Sequence, residues 1–79
     1  MPFVRIDILE GRSVEVRHEL HRRVAELVAE ILDTPIDRVR TYITEIPADG
    51  WGIGGVPASQ ARRDEIAARA AAAGAALVS

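Results

Sequence analysis

Residues 3–9 read FVRIDIL, and the alternation within this run decides the fold. Val4, Ile6 and Ile8 fall on one face of an extended chain, and Phe3, Arg5, Asp7 and Leu9 on the other. The run reads as a strand with one wholly apolar face. Pro2 stands immediately ahead, where a strand tolerates a missing N–H donor. Pro2 also has a chemical reading. Once Met1 is removed, the chain begins with a secondary amine, and a free amine in a dry pocket is a base near neutral pH. Glu10-Gly11-Arg12 supplies the turn that follows the strand.

Beyond the turn, Ser13 is an N-cap residue and Glu15 a favourable charge in a first helical turn. Val16, Leu20, Val24, Leu27, Val28 and Ile31 recur at helical spacing, which predicts a helix over 14–32 with these residues as its apolar face. Arg17, His18, His21, Arg22 and Glu26 fall mostly elsewhere, and both histidines read as solvated. Asp33-Thr34-Pro35 ends the helix, because the residue before a proline avoids the helical region. Val39–Ile46, VRTYITEI, is rich in β-branched residues and reads as a second strand. Strand, helix, strand in this order predicts two parallel strands joined by a right-handed crossover. The helix covers one sheet face and leaves the other bare, and a partner chain is expected to cover or extend the sheet.

Pro47-Ala48-Asp49-Gly50 is a turn signal. The run WGIGG at 51–55 then reads as a short hairpin arm suited to lie on a neighbouring subunit. It lacks the following lysine and the strand-to-helix setting of a phosphate loop. From Ala58 to Ala73 the strong helix formers Ala, Arg and Glu dominate. This predicts a lightly packed C-terminal helix ending near Gly74 as its C′ residue, with Ile66, Leu77 and Val78 its few large apolar side chains.

The chain has 79 residues, a single-domain length, with 48% hydrophobic residues and a net charge of −2. So short a chain buries only a modest share of its surface and commonly needs a staple. With no cysteine, neither disulfides nor thiolate metal sites are available, and oligomerisation is the remaining staple. A pI near 5.6 argues against a nucleic-acid partner. Arg5, Asp7 and Glu10 interrupt any signal-peptide core, and no run reaches the roughly 18 apolar residues of a membrane span. The expectation is a cytoplasmic protein without a membrane or nucleic-acid partner.

The residues that look like tools are Pro2, Arg12, Arg40 and Trp51. Pro2 opens the first strand and Arg12 follows its end, a strand length away at about 3.3 Å per residue. A pocket holding Pro2, Arg12 and Arg40 therefore draws on more than one subunit. The ordered set ILEGRS at 8–13, LDTP at 32–35, VR at 39–40, ITE at 43–45 and GIGG at 52–55, with Pro2 ahead of it, resembles the 4-oxalocrotonate tautomerase family. The resemblance runs over residues 2–63 without gaps. It implies a small β-α-β chain whose dimers form a four-stranded sheet and assemble into homo-oligomers, commonly hexamers. It also implies a β-α-β domain over 1–63 and an Ala-rich helical extension over 64–79.

By the same resemblance, Pro2 is the catalytic base. Arg12 lies near the distal carboxylate of the substrate. Arg40 comes from a neighbouring subunit and binds the 2-hydroxy or keto group and the near carboxylate. Trp51 takes the place of a pocket aromatic that is usually phenylalanine, Leu9 and Ile53 match apolar pocket positions, and Arg62 matches a basic position near the family C-terminus. Arg38 stands where better-known members carry a small polar residue, and is either a third cation at the site mouth or surface.

The chemistry of such a set is coherent. Ordinary α-amino groups titrate at about 7.7–8.0. An apolar pocket and nearby guanidiniums both disfavour an ammonium there, which suits a neutral base. A dicarboxylate matches two arginines, each able to bind bidentately. When a proton leaves carbon beside a carbonyl, charge builds on oxygen, where Arg40 stabilises it. No cofactor or metal is needed. The expected activity is an isomerase acting on 2-hydroxymuconate-like dienols. Two alternatives stand beside it: a hydratase-type dehalogenase of haloacrylates, and a non-catalytic oligomer that binds carboxylates. The dehalogenase needs an acidic residue and a further arginine where this chain has the apolar Ile53 and Leu9.

Overall fold

The computed structural model describes the backbone of residues 1–78, with side chains described except at 70 and from 73 onward. Its elements in chain order are β1 (Phe3–Leu9), α1 (Val14–Leu32), a 3₁₀ turn at Ile36–Arg38, β2 (Arg40–Ile46), a second 3₁₀ turn at Ala48–Gly50, β3 (Gly52–Ile53), β4 (Val56–Pro57), α2 (Ala58–Ala61) and α3 (Arg63–Val78). β1 and β2 form a two-stranded parallel sheet. Arg40 N–H donates to the Pro2 carbonyl at 3.0 Å, and Glu10 N–H to the Ile46 carbonyl at 3.0 Å. In a parallel ladder these bonds place Phe3 beside Arg40 and Leu9 beside Ile46. The two strands share one alternation of exposed and half-buried residues, as this register requires.

The chain divides into two compact units: residues 1–7 with 14–44, and residues 8–13 with those from Glu45 onward. In the first unit, α1 spans the expected residues. Its half-buried positions include Leu20, His21, Val24 and Val28, whereas Val16, Leu27 and Ile31 are 47%, 56% and 70% exposed. The expected single apolar face is thus two stripes. One is half-buried and the other faces outward, because six apolar positions spread over a wider arc than one two-stranded sheet can cover.

His21 corrects the expectation of a solvated ring. It is half-buried, with Nδ1 2.6 Å from Thr41 Oγ1 of β2. Position 21 follows Leu20 and precedes Val24 on the half-buried stripe, so its ring reaches the sheet. α1 closes before the proline takes effect. Asp33 adopts φ 51°, its N–H donates to Glu30 O, and Thr34 N–H donates to Ala29 O. This is a Schellman closure with aspartate in the left-handed position that glycine usually fills. Val39 lies just outside β2, closing the 3₁₀ turn with its N–H on Ile36 O, and is buried.

The other face of the first unit is bare. Phe3 and Tyr42 are 63% and 54% exposed, and their rings stack at 6.0 Å between centroids. Arg5 pairs with Asp7 at 3.4 Å on the same face. Among the described residues the buried set is small, comprising Val39, Ala58 and Ser13, with no large side chain fully buried.

In the second unit, β3 and β4 pair antiparallel, Gly52 with Pro57 and Ile53 with Val56. Gly54 and Gly55 form the tip with φ 59° and 87°, the sign pattern of the two-residue turn that fits strand twist. The ladder extends to Ala58 N–H on Trp51 O at 2.8 Å, which holds the wholly buried Ala58 under the arm. A Ser59 hydroxyl bond to Asp49 ties α2 to the second 3₁₀ turn. The expected single C-terminal helix is two helices, broken at Arg62, where φ −129° and ψ 36° leave the helical region. α3 continues through Gly74 to Val78, so Gly74 is not a C′ residue. A glycine stop needs a closing turn after it, whereas Gly74 is followed by the helix formers Ala75 and Ala76. The Leu77 and Val78 side chains lie outside the described residues.

Candidate active site

Pro2 is half-buried, and its carbonyl is fixed by the Arg40 backbone N–H, so the start of β1 is pinned to the start of β2. Met1 ahead of it is 71% exposed. With Met1 attached, the Pro2 nitrogen is an amide, and its removal exposes the amine at a backbone position already set by the ladder. The Arg40 guanidinium turns back on the 3₁₀ turn. Its Nη1 donates to Asp37 O at 2.6 Å and lies 3.4 Å from Val39 O. It is exposed and retains other N–H donors for a ligand. Arg38, also exposed, ends that turn two residues before Arg40.

The second unit carries the remaining candidates. Arg12 is half-buried, and its Nη1 donates to the Leu9 carbonyl at 3.2 Å, which gathers Leu9 and Arg12 at the exit of β1. Gly11 makes the exit possible with φ 122°, a conformation L side chains rarely adopt. Trp51 and Ile53 are half-buried on the β3–β4 arm. Arg62, at the break between α2 and α3, is exposed, with Nη1 bonded to Ala61 O and Nε 3.8 Å from Glu65. The first unit thus brings Pro2 and Arg40 together along the backbone, and the second joins Arg12 to Leu9 and places Trp51 beside Ile53 in sequence on the arm. Among the described residues no group of three or more His, Cys, Asp or Glu could hold a metal ion, and no helix is long and apolar enough to cross a membrane.

Arg69 was not marked by the sequence. Its side chain is only 26% exposed, and its Cγ and Cδ lie 3.6 Å from where a Cβ on Gly11 would stand. On an Ala-rich helix the residue looked like one more solvated arginine. The available signal was its spacing from Glu65 and Ile66, which puts the three on one face of α3.

Comparison with known proteins agrees with this architecture. The family model described as tautomerase enzyme matches residues 2–61. A 2-hydroxymuconate tautomerase of Pseudomonas sp. (strain CF600) is 49% identical over 63 residues, covering 80% of this chain and all of the relative. A Pseudomonas putida 2-hydroxymuconate tautomerase is 51% identical over the same span. Among solved structures, a heterohexamer 4-oxalocrotonate tautomerase from Chloroflexus aurantiacus J-10-fl matches with a TM-score of 0.72 and 38% identity, over 76% of this chain and 97% of the other. A second 4-oxalocrotonate tautomerase homologue gives a TM-score of 0.72 at 37% identity, over 76% of this chain and 95% of the other. The fold is that of a small β-α-β isomerase. The chain belongs to the tautomerase enzyme family.

Proposed function

We propose that this protein is a tautomerase interconverting the enol and conjugated keto forms of a 2-hydroxymuconate-like dienol acid, with the Pro2 amine as general base. The observation that carries this reading is the half-identical match, over their whole length, to relatives named 2-hydroxymuconate tautomerase. The neutral Pro2 amine takes the hydroxyl proton. The O–H electrons form the carbonyl, the double bonds shift along the diene, and the proton returns to a carbon further along the chain. Arg40 of a neighbouring subunit holds the near carboxylate and the oxygen on which charge develops. Arg12 takes the distal carboxylate, and Trp51, Leu9 and Ile53 keep water out. Arg38 and Arg62 are further cations at the site mouth.

The active form is a homo-oligomer, built from dimers with a four-stranded sheet and assembled to a hexamer. Support comes from the surface the single chain leaves open. Phe3, Leu27, Ile31 and Tyr42 are each more than half exposed. Burying a side chain of that kind contributes about 1.5–3 kcal/mol. Residues 1–63 form the functional module and 64–79 an extension to it, in a cytoplasmic protein. The test is an ultraviolet assay of 2-hydroxymuconate ketonisation on protein whose mass confirms loss of Met1. Fast turnover supports the reading. Turnover no faster than buffer overturns it, and hydrolytic release of halide from a 3-haloacrylate would redirect it to the dehalogenase.

A further inference from the structure

The curated relatives that match over 63 residues are covered in full, while this chain continues through α3. What the continuation brings to the second unit is specific. Glu65, Ile66 and Arg69 share one face of α3, and Arg62 stands at its start with its carbonyl accepting from Ile66 N–H. Glu65 divides its carboxylate between two arginines, with Oε2 3.8 Å from Arg62 Nε and Oε1 3.4 Å from Arg69 Nη2. The Arg69 stem crosses Gly11, with Cγ and Cδ 3.6 Å from the position of a Cβ there. Gly11 immediately precedes Arg12, whose Cα is only about 3.8 Å further along the chain. Gly11 turns the chain with its φ of 122°, and the Arg69 stem passes close enough that a Cβ there would touch it at ordinary van der Waals distance.

We infer that Arg69 is a specificity-determining residue that, with Arg12, selects substrates bearing a second carboxylate. This rests on the assignment of Arg12 to the distal carboxylate. The contact with Glu65 is long for a charge-assisted hydrogen bond, so the guanidinium is held loosely and has donors to spare. The turn at 10–12 and the residues Arg62, Glu65 and Arg69 together carry three arginines against two carboxylates, Glu10 and Glu65. An incoming carboxylate therefore meets an excess of positive charge on a partly desolvated stem, where a guanidinium binds bidentately at little entropic cost. Arg69 acts on binding and carries no proton.

The test is calorimetric binding of trans,trans-muconate and of sorbate to the full chain. The two ligands share a six-carbon diene and differ in one terminal carboxylate. Wild-type protein prefers muconate. Arg69→Gln weakens muconate binding about tenfold and sorbate binding less than about twofold, and Arg69→Lys recovers part of the loss. Glu65→Gln, which releases Arg69 from its competitor, tightens muconate binding. Equal losses for both ligands in Arg69→Gln would mark Arg69 as a packing residue and overturn the inference. So would a wild type with no preference, or weaker muconate binding in Glu65→Gln. Because no turnover is read, a chain that shows the preference and fails to ketonise 2-hydroxymuconate refutes the proposed activity and leaves this inference standing.

Discussion

The Arg40 backbone N–H donates to the Pro2 carbonyl at 3.0 Å, so the residue proposed as base and a proposed anion-binding arginine are locked into one ladder. Within one chain the Arg40 guanidinium is engaged with carbonyls of its own turn, Asp37 at 2.6 Å and Val39 at 3.4 Å. Under the proposed function this side chain serves a neighbouring subunit's Pro2. Arg40→Ala is expected to lower kcat/KM for 2-hydroxymuconate by about 10²–10³-fold, the range for losing a preorganised oxyanion partner. Stability falls by only about 0.5–1.5 kcal/mol, the worth of an ordinary hydrogen bond. Steady-state kinetics beside a urea titration separates the two, and equal kinetics in the variant would remove Arg40 from the site.

The stacked, exposed Phe3–Tyr42 pair lies on the bare sheet face that the proposed oligomer covers with a second chain. Sedimentation equilibrium at micromolar concentration should show no monomer. Tyr42→Glu places a charge in that contact and should shift the distribution toward smaller species. A wild-type monomer would remove the basis for a site shared between subunits.

His21 and Thr41 form a polar link between α1 and β2 with a separation of 2.6 Å. Thr41→Val keeps the shape and leaves the half-buried imidazole without this partner. A loss of about 1–2 kcal/mol in denaturant unfolding is expected. An unchanged unfolding midpoint would show the link to be incidental.

Gly11 combines a φ of 122° with the Arg69 contact. Gly11→Ala is expected to cost about 1–3 kcal/mol through backbone strain alone, because the added Cβ would sit at ordinary contact distance, 3.6 Å, from Arg69. A thermal melt with an unchanged midpoint would contradict the assigned backbone conformation.

Period-two alternation in FVRIDIL and the helical spacing over 14–32 made β1 and α1 legible, since both patterns follow directly from which faces are buried. The hairpin tip was legible in GIGG because only glycine enters two successive positive-φ positions without strain. His21 was not, because a polar residue on a half-buried stripe is distinguished by its partner across the sheet, and Thr41 lies 20 residues away. The break at Arg62 was hidden for a related reason: Ala-Arg-Arg has high helix propensity, and α2 is tied to the arm through Ala58 N–H on Trp51 O, a contact the local sequence does not show. Pro2, Arg12 and Arg40 were picked out by an ordered motif set. Arg69 lies beyond that set and emerged only when the turn at Gly11 was seen to carry its stem.

A free Pro2 amine as the base is tested by comparing the same chain with Met1 removed and with Met1 retained. Muconate binding is followed alongside 2-hydroxymuconate ketonisation, with mass spectrometry fixing the N-terminus of each sample. Trimmed protein should turn over rapidly. Retained Met1 converts the amine to an amide and should lower kcat by at least about 10²–10⁴-fold, while the carboxylate ligand still binds through the arginines. Undiminished turnover with Met1 in place would contradict the account and send the search for the base elsewhere in the chain.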